Sequence, residues 1–280
     1  FAINRKRIII NLPSYSLFEY HCNTYNIPFE PWLLSDELNF DLFSMPVPDN
    51  NSVVIIASPN NPAGNTLEPD TLAFLLARYP STLFIIDGVY CEFAKHDFTP
   101  LVNEYDNLIV LRSFSKAFPV AGLRLGYLCA NAVTTAAVKK LLLAFSLNDF
   151  TLSFAREVLF SSEFLAQSRK SIKAIIAERE RMSRFLNVYY PKNVLRVYSS
   201  QGNFLLIRVC CPASYRMVME ALTQCGIRVL NTSANVMLEN TFRVSIGSVE
   251  ENDAFVDCLV GALGMSMPLS APEMDVMVAA

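Results

Sequence analysis

Residues 111–127 read LRSFSKAFPVAGLRLGY, and the reading of this stretch decides how the flanking sequence is understood. An apolar run, NLIVLR (107–112), leads straight into Ser113, Ser115 and Lys116. Arg124 follows, and a second apolar run, LGYLCA (125–130), begins at once. Short β-branched runs that do not alternate with polar residues belong to strands covered on both faces. Two hydroxyls, an amine and a guanidinium behind such a strand form either an ordinary polar turn or a convergence on one anionic, carbonyl-bearing ligand.

Three more runs of this kind lie upstream: RIIINL (7–12), SVVIIAS (52–58) and TLFIID (82–87). Between the last two, Leu72, Leu75, Leu76 and Tyr79 fall at helical spacing, with Pro69 in the first turn and Pro80 at the end. Strand-helix-strand order implies a doubly wound α/β sheet, whose ligands bind beyond the carboxyl ends of its strands. SVVIIAS is followed by PNNPAG (59–64), a turn presenting Asn60 and Asn61, and TLFIID ends in Asp87 with Tyr90 three residues on. Taken singly, each has a structural explanation: a helix cap, a turn, a surface Ser-x-Ser-Lys. Occurring together at successive strand ends, they favour a site.

Downstream, a long charged amphipathic helix is expected over about 152–187, including SRKSIKAIIAERERMSRFL. A second series follows: NVLRVY (193–198), NFLLIRV (203–209), a helix near 213–225, IRVL (227–230), TFRVSI (241–246) and a helix from about 250. The expected organisation is a large α/β domain over 1–160 with a mostly parallel, helix-covered sheet. The connecting helix and a smaller C-terminal α+β domain occupy 161–265, and an aperiodic tail occupies 266–280.

Composition narrows the function. The 280 residues are 52% apolar and carry 23 basic against 26 acidic side chains, a balance without the electrostatic footprint of nucleic-acid binding or a basic membrane-surface run. No apolar run is long enough to span a bilayer. Seven cysteines, scattered and odd in number, read as free thiols of a reducing compartment, which points to the cytoplasm. Only two histidines, His21 and His96, occur, so no histidine-rich metal site is expected.

The motifs LPSYSLF (12–18), SPNNPAGN (58–65), IIDGVYCEF (85–93), SFSKAFPVAGLRLGY (113–127), GNFLLIRV (202–209) and FRVSIGSVEEN (242–252) occur in an order that resembles the class I/II pyridoxal-phosphate aminotransferases of the aspartate-aminotransferase fold. The resemblance is closest to the histidinol-phosphate aminotransferase branch. It implies pyridoxal 5′-phosphate as cofactor, held through its aldehyde by Lys116, which also moves the substrate proton. By the same resemblance Asp87 faces the pyridine nitrogen, Asn61 and Tyr90 donate to the ring oxygen O3′, and Tyr15 stacks on the ring. Ser113, Ser115 and Arg124 hold the phosphate, and Arg243 takes the substrate's anionic group. A homodimer is implied, with an amino donor and a 2-oxo acid or phosphorylated acceptor reacting in ping-pong order.

The chain departs from the family pattern in two places. Phe1 falls after the upstream arm and the small-residue turn whose amides bind the phosphate in relatives, so the expectation is either a fragment or a shortened protein with a weakened phosphate cup. The family's G-I-x-V-R stretch reads GIRVLN (226–231) here, with Leu230 in place of the arginine and Arg228 two residues earlier, roughly 6.6 Å away along a strand. Alternatives to transamination are a decarboxylase of the threonine-phosphate type and a non-catalytic truncated relative. A serine acylase built on S-x-x-K also needs S-D-N and K-T-G motifs, and neither is present.

Overall fold

The computed structural model describes residues 7–142 and 146–264. Five strands run parallel: β1 (Arg7–Leu12), β2 (Phe29–Leu33), β3 (Ser52–Ala57), β4 (Leu83–Asp87) and β5 (Leu108–Ser113). With β6 (Gly126–Ala130) they form one sheet of order β2-β1-β3-β4-β5-β6. The unbroken apolar runs are explained by where alternate side chains go. Ile9, Val54, Ile56, Phe84, Ile86 and Val110 pack on one face with Leu72, Leu75 and Leu76 of α2 (Pro69–Arg78). Ile8 and Ile10 point to the other face, against Cys22 of α1 (Leu17–Thr24). Both faces are therefore covered, and neither strand face can be polar.

β6 runs antiparallel to β5, pairing Arg112 with Tyr127 and Ser113 with Gly126. A parallel return needs a crossover of a dozen or more residues, usually a helix. The link between Ser113 and Gly126 is instead a compact loop with a single 3₁₀ turn at Ala121–Leu123. After β6 comes α3 (Ala132–Lys139).

The single long helix expected over 152–187 is two helices, α4 (Asp149–Phe160) and α5 (Ser162–Tyr189). Ser161 breaks them: its backbone is extended and its hydroxyl accepts from Phe164 N–H at 3.2 Å, an N-cap that competes with helix continuation.

A second, antiparallel sheet is built from β7 (Leu195–Val197), β8 (Phe204–Val209), β9 (Leu230–Asn231) and β10 (Thr241–Ser245), in the order β7-β8-β10-β9. Helices α6 (Pro212–Gln224) and α7 (Val249–Leu263) pack on it around Leu205, Ile207, Phe242, Val218 and Phe255. The strand expected at 227–230 forms only at 230–231. Gly226, at φ +74°, and Ile227 bond back to Thr223 and Leu222 at the end of α6, which uses up the preceding residues as the descent from helix to sheet. The tail expected at 266–280 lies outside the described residues.

Two contacts seat the small sheet against the large one. Gly64, at φ +84°, has its Cβ position 2.9 Å from the Ser200 Cα, so only glycine permits this approach, and its carbonyl accepts from Gln201 N–H at 2.8 Å. The buried Arg179 of α5 donates to the carbonyls of Phe93, at 3.2 Å, and Gly202, at 2.9 Å.

Candidate active site

β3, β4 and β5 are consecutive parallel neighbours, so the segments that follow them open at the same edge of the sheet. There a cavity of about 580 Å³ lies between the two sheets. Tyr15, Asn61, Asp87, Tyr90, Ser113, Ser115, Lys116, Arg124 and Arg243 all line it. These nine residues thus reach one space, of a size suited to a small-molecule ligand. Asn60 does not: it is fully buried, donating through Nδ2 to the Pro13 carbonyl at 2.9 Å and accepting from the Ser14 hydroxyl at 2.9 Å. It straps the Tyr15 segment to the 59–64 loop.

Asp87 closes β4 opposite Ala57. Its carboxyl is buried, which pushes its pKa up, while the Val89 N–H at 3.2 Å and the nearby Lys116 ammonium pull it back. A buried carboxylate with one amide bond is an acceptor still in need of a cationic or N–H partner. Lys116 stands with Nζ 5.5 Å from the centre of the Tyr90 ring. Burial also raises the Tyr90 phenol, and the Arg243 guanidinium lowers it.

Ser113, Ser115 and Arg124 form a connected group. Ser115 N–H donates to the Ser113 hydroxyl at 3.0 Å, and Arg124 Nη1 reaches the Ser115 hydroxyl at 3.4 Å and the Ala121 carbonyl at 3.1 Å. Arg124 itself adopts φ +51°, a left-handed conformation unusual for arginine, which reverses the chain at the entry to β6. Hydroxyls beside a fixed guanidinium are the donor set that phosphate requires.

Arg243 enters from the other side. On β10 the neighbouring Phe242 and Val244 face the small-sheet core, so the alternation of the strand turns Arg243 toward the cavity. Its guanidinium lies 4.8 Å from the centre of the Phe204 ring and donates to Asn61 Oδ1 at 2.5 Å, while its buried Nε has no partner. Because arginine only donates, Asn61 must offer its oxygen there, which leaves its NH₂ as the group able to donate to a ligand.

The remaining wall has no role assigned from the sequence, although Leu230 and Asn231 lie in the GIRVLN stretch. Glu19 of α1 and Leu230, Asn231, Thr232, Ala234 and Asn235 line the cavity. Arg228 does not, and the cations of the lining are Lys116, Arg124 and Arg243.

An amine, a buried acid, two hydroxyls beside a guanidinium and a second arginine around one cavity suit a phosphorylated aldehyde with a basic ring nitrogen. A family model for aminotransferase class I and II matches residues 1–259. The chain belongs to this family. Its sequence is 32% identical over 256 residues to a histidinol-phosphate aminotransferase of Pyrococcus furiosus, covering 91% of this chain and 69% of that protein. Among solved structures, it is similar to a histidinol-phosphate aminotransferase of Sinorhizobium meliloti in complex with pyridoxal-5′-phosphate, with a TM-score of 0.73 at 24% identity over 92% of this chain and 70% of that one. The L-threonine-O-3-phosphate decarboxylase of Porphyromonas gingivalis shares the fold, with a TM-score of 0.78 at 23% identity over 94% of this chain and 78% of that one. This aminotransferase is of the pyridoxal-phosphate-dependent, histidinol-phosphate aminotransferase-like kind. Its fold is the mostly parallel α/β arrangement of that group.

Proposed function

We propose that the cavity holds pyridoxal 5′-phosphate and transfers an amino group between an amino donor and a 2-oxo acid. The supporting observation is that nine residues chosen for this chemistry from the sequence line one cavity. When bound, the cofactor supplies an aldehyde that captures the amine and a ring that draws off electrons. Lys116 Nζ holds that aldehyde covalently at rest, and as a free amine carries the proton to and from the substrate Cα. The Asp87 carboxylate keeps a proton on the ring nitrogen, because a buried anion raises the pKa of the cation facing it. Asn61 Nδ2 and the Tyr90 hydroxyl donate to the ring oxygen. Ser113, Ser115 and Arg124 anchor the phosphate, Tyr15 flanks the ring, and Arg243 binds the substrate carboxylate.

A single carboxylate at Arg243 suits this lining better than a second phosphate, because the neighbouring segment, whose Leu230 pairs with Arg243 across β9 and β10, adds no further cation. That segment offers Leu230, Asn231, Thr232, Ala234 and Asn235 and, among the described residues, no cation. A decarboxylase of the threonine-phosphate type is the second reading. It has the fold in its favour, whereas transamination has the sequence family.

We also infer a homodimer. Phe150, Leu152, Phe154 and Phe160 of α4 are exposed, as are Leu141 and Leu142, and the stacked Phe150–Phe154 pair is apolar surface that a second copy could cover. Light scattering of the purified protein reads this directly, and a monomer at all concentrations refutes it. A cytoplasmic setting is supported by seven free thiols, and among the described residues no helix is long and apolar enough to cross a membrane.

The function is tested by adding pyridoxal phosphate, reducing with borohydride and mapping the modified peptide. A phosphopyridoxyl group on Lys116 is expected, and a panel of amino donors and acceptors, histidinol phosphate included, then separates keto-acid formation from release of carbon dioxide. Absence of the adduct refutes the reading.

A further inference from the structure

Beside the cavity, outside its lining, Arg112 makes a side-chain cluster that the proposed chemistry does not use. Its Nη2 donates to Glu92 Oε1 at 2.8 Å, and its Nη1 donates to both Asp97 oxygens and to the Thr99 hydroxyl, each at 3.0 Å. The Arg112 and Glu92 side chains are 12% and 13% exposed, against 49% for Asp97, so the first pair is the shielded one. The Tyr127 ring, across the β5–β6 pairing, lies 6.0 Å from the guanidinium. Four segments meet at this one fork.

The position of the fork in the chain gives it its consequence. Glu92 lies two residues beyond Tyr90, in the 3₁₀ turn Cys91–Phe93, and Arg112 lies one residue before Ser113 and four before Lys116. Backbone pairing of β4 with β5 reaches Asp87–Leu111, and the Gly88 N–H bonds the Leu111 carbonyl at 2.9 Å. Beyond that point the Arg112–Glu92 contact carries the connection by side chains. It joins the segment holding the Tyr90 phenol to the segment holding the Lys116 amine. A planar guanidinium fixes direction as well as distance, which a lysine ammonium does not.

We propose that Arg112 and Glu92 are positioning residues, whose buried fork sets where the Lys116 amine stands relative to the Tyr90 phenol and the Asp87 carboxylate. The proposal rests on the reading that Lys116 carries the cofactor. It differs from a purely stabilising ion pair in what survives when stability is restored. Removing one partner of a buried pair leaves an uncompensated charge, whereas replacing both with neutral groups of similar volume is often neutral for stability. Arg112→Met combined with Glu92→Gln is that replacement, and Arg112→Lys keeps the charge while losing the fork.

The test compares the full chain with both variants after loading with pyridoxal phosphate. It reads melting temperature, the pH midpoint of the Lys116–cofactor absorbance band, and kcat and KM for the amino donor. In either variant, the absorbance midpoint is expected to move and kcat to fall by about 10- to 100-fold, the scale set by misplacing a reacting group by an ångström, with KM within about threefold. The double variant is expected to keep the wild-type melting temperature. Should it fail to fold, Arg112→Lys carries the test through the same absorbance and kcat readings. Wild-type absorbance and kcat in a folded variant overturn the proposal while leaving the aminotransferase reading intact. A wild-type chain that forms no adduct at Lys116 overturns both.

Discussion

The two sheets contribute to the cavity in opposite ways. The parallel sheet delivers Asn61, Asp87, Tyr90, Ser113, Ser115 and Lys116 from the ends of three adjacent strands, each group at the end of a mostly buried run or a few residues past it. The antiparallel sheet delivers Arg243 from within β10, aimed by strand alternation, and a wall from the 230–235 segment that is irregular after Asn231. Parallel strands all end on one side, so their polar ends converge without further instruction from the sequence. An antiparallel sheet has no such common edge, and its contribution depends on how it is seated. The covalent and proton-moving groups should therefore belong to the first region, and substrate selection to the second.

The largest expected effect tests the first half of that statement. Lys116→Ala removes the only lysine of the lining among the described residues, and turnover should fall by about 10⁴-fold, with no borohydride-stable adduct by mass spectrometry. Residual adduct at another lysine would show that the parallel edge does not hold the reactive amine.

Asp87→Asn should lower kcat by about 10²–10³-fold, since an amide cannot hold a proton on the ring nitrogen. It also makes a stability prediction of opposite sign. Burial raises this carboxyl in the folded chain, so the native state binds more protons than the unfolded chain from the ordinary value of about 3.9 up to the raised one. Stability consequently falls as pH rises through that window. At pH 7 the cofactor-free Asn variant should melt above the wild type, by about 2–4 °C for each kcal/mol relieved, and the gap should close toward pH 4. Cofactor should raise the wild-type melting temperature more than the variant's, because the ring cation compensates the buried charge.

These two residues also show what could be read from the chain before its fold was known. Asp87 and Lys116 each follow a β-branched run and precede a turn, so their position at a strand end is written locally; Tyr15 and Arg243 are named only through the family resemblance, and they line the same cavity. Residues whose role depends on long-range seating left no local mark. Thr232 and Asn235 line the cavity because the small sheet docks through Gly64 and Arg179, contacts that span far more sequence than any motif. The antiparallel direction of β6 and the break at Ser161 escaped hydrophobic patterning for a related reason. Patterning records which faces are buried; strand direction and a single capping hydroxyl leave it unchanged.

Arg243→Met probes the second region. The charge-assisted contact it would make with a substrate carboxylate corresponds to a fall of about 10- to 100-fold in kcat/KM, carried mainly by KM. The methionine retains contact with Phe204, and the adduct at Lys116 should form as in the wild type. A fall confined to kcat would instead place Arg243 with the reacting groups and erase the division between the two sheets.

The smallest effect asks whether the small sheet can be weakened without disturbing the site. Ser248 caps α7 in a reciprocal arrangement: its hydroxyl accepts from Glu251 N–H at 3.3 Å, and Glu251 Oε2 accepts from Ser248 N–H at 2.9 Å. Just beyond, the buried Asn252 donates to Glu178 of α5 at 2.9 Å and holds Gly247, so the cap lies on the route from β10 to the helix that braces both sheets. Ser248→Ala should cost about 1 kcal/mol, seen as a drop of about 2–4 °C in melting temperature. Because β10 is held by β8 and β9 on either side, Arg243 should stay where it is and KM should not change. A rise in KM comparable to that of Arg243→Met would mean that substrate selection depends on the packing of the whole small sheet, and not on one side chain set by its alternation.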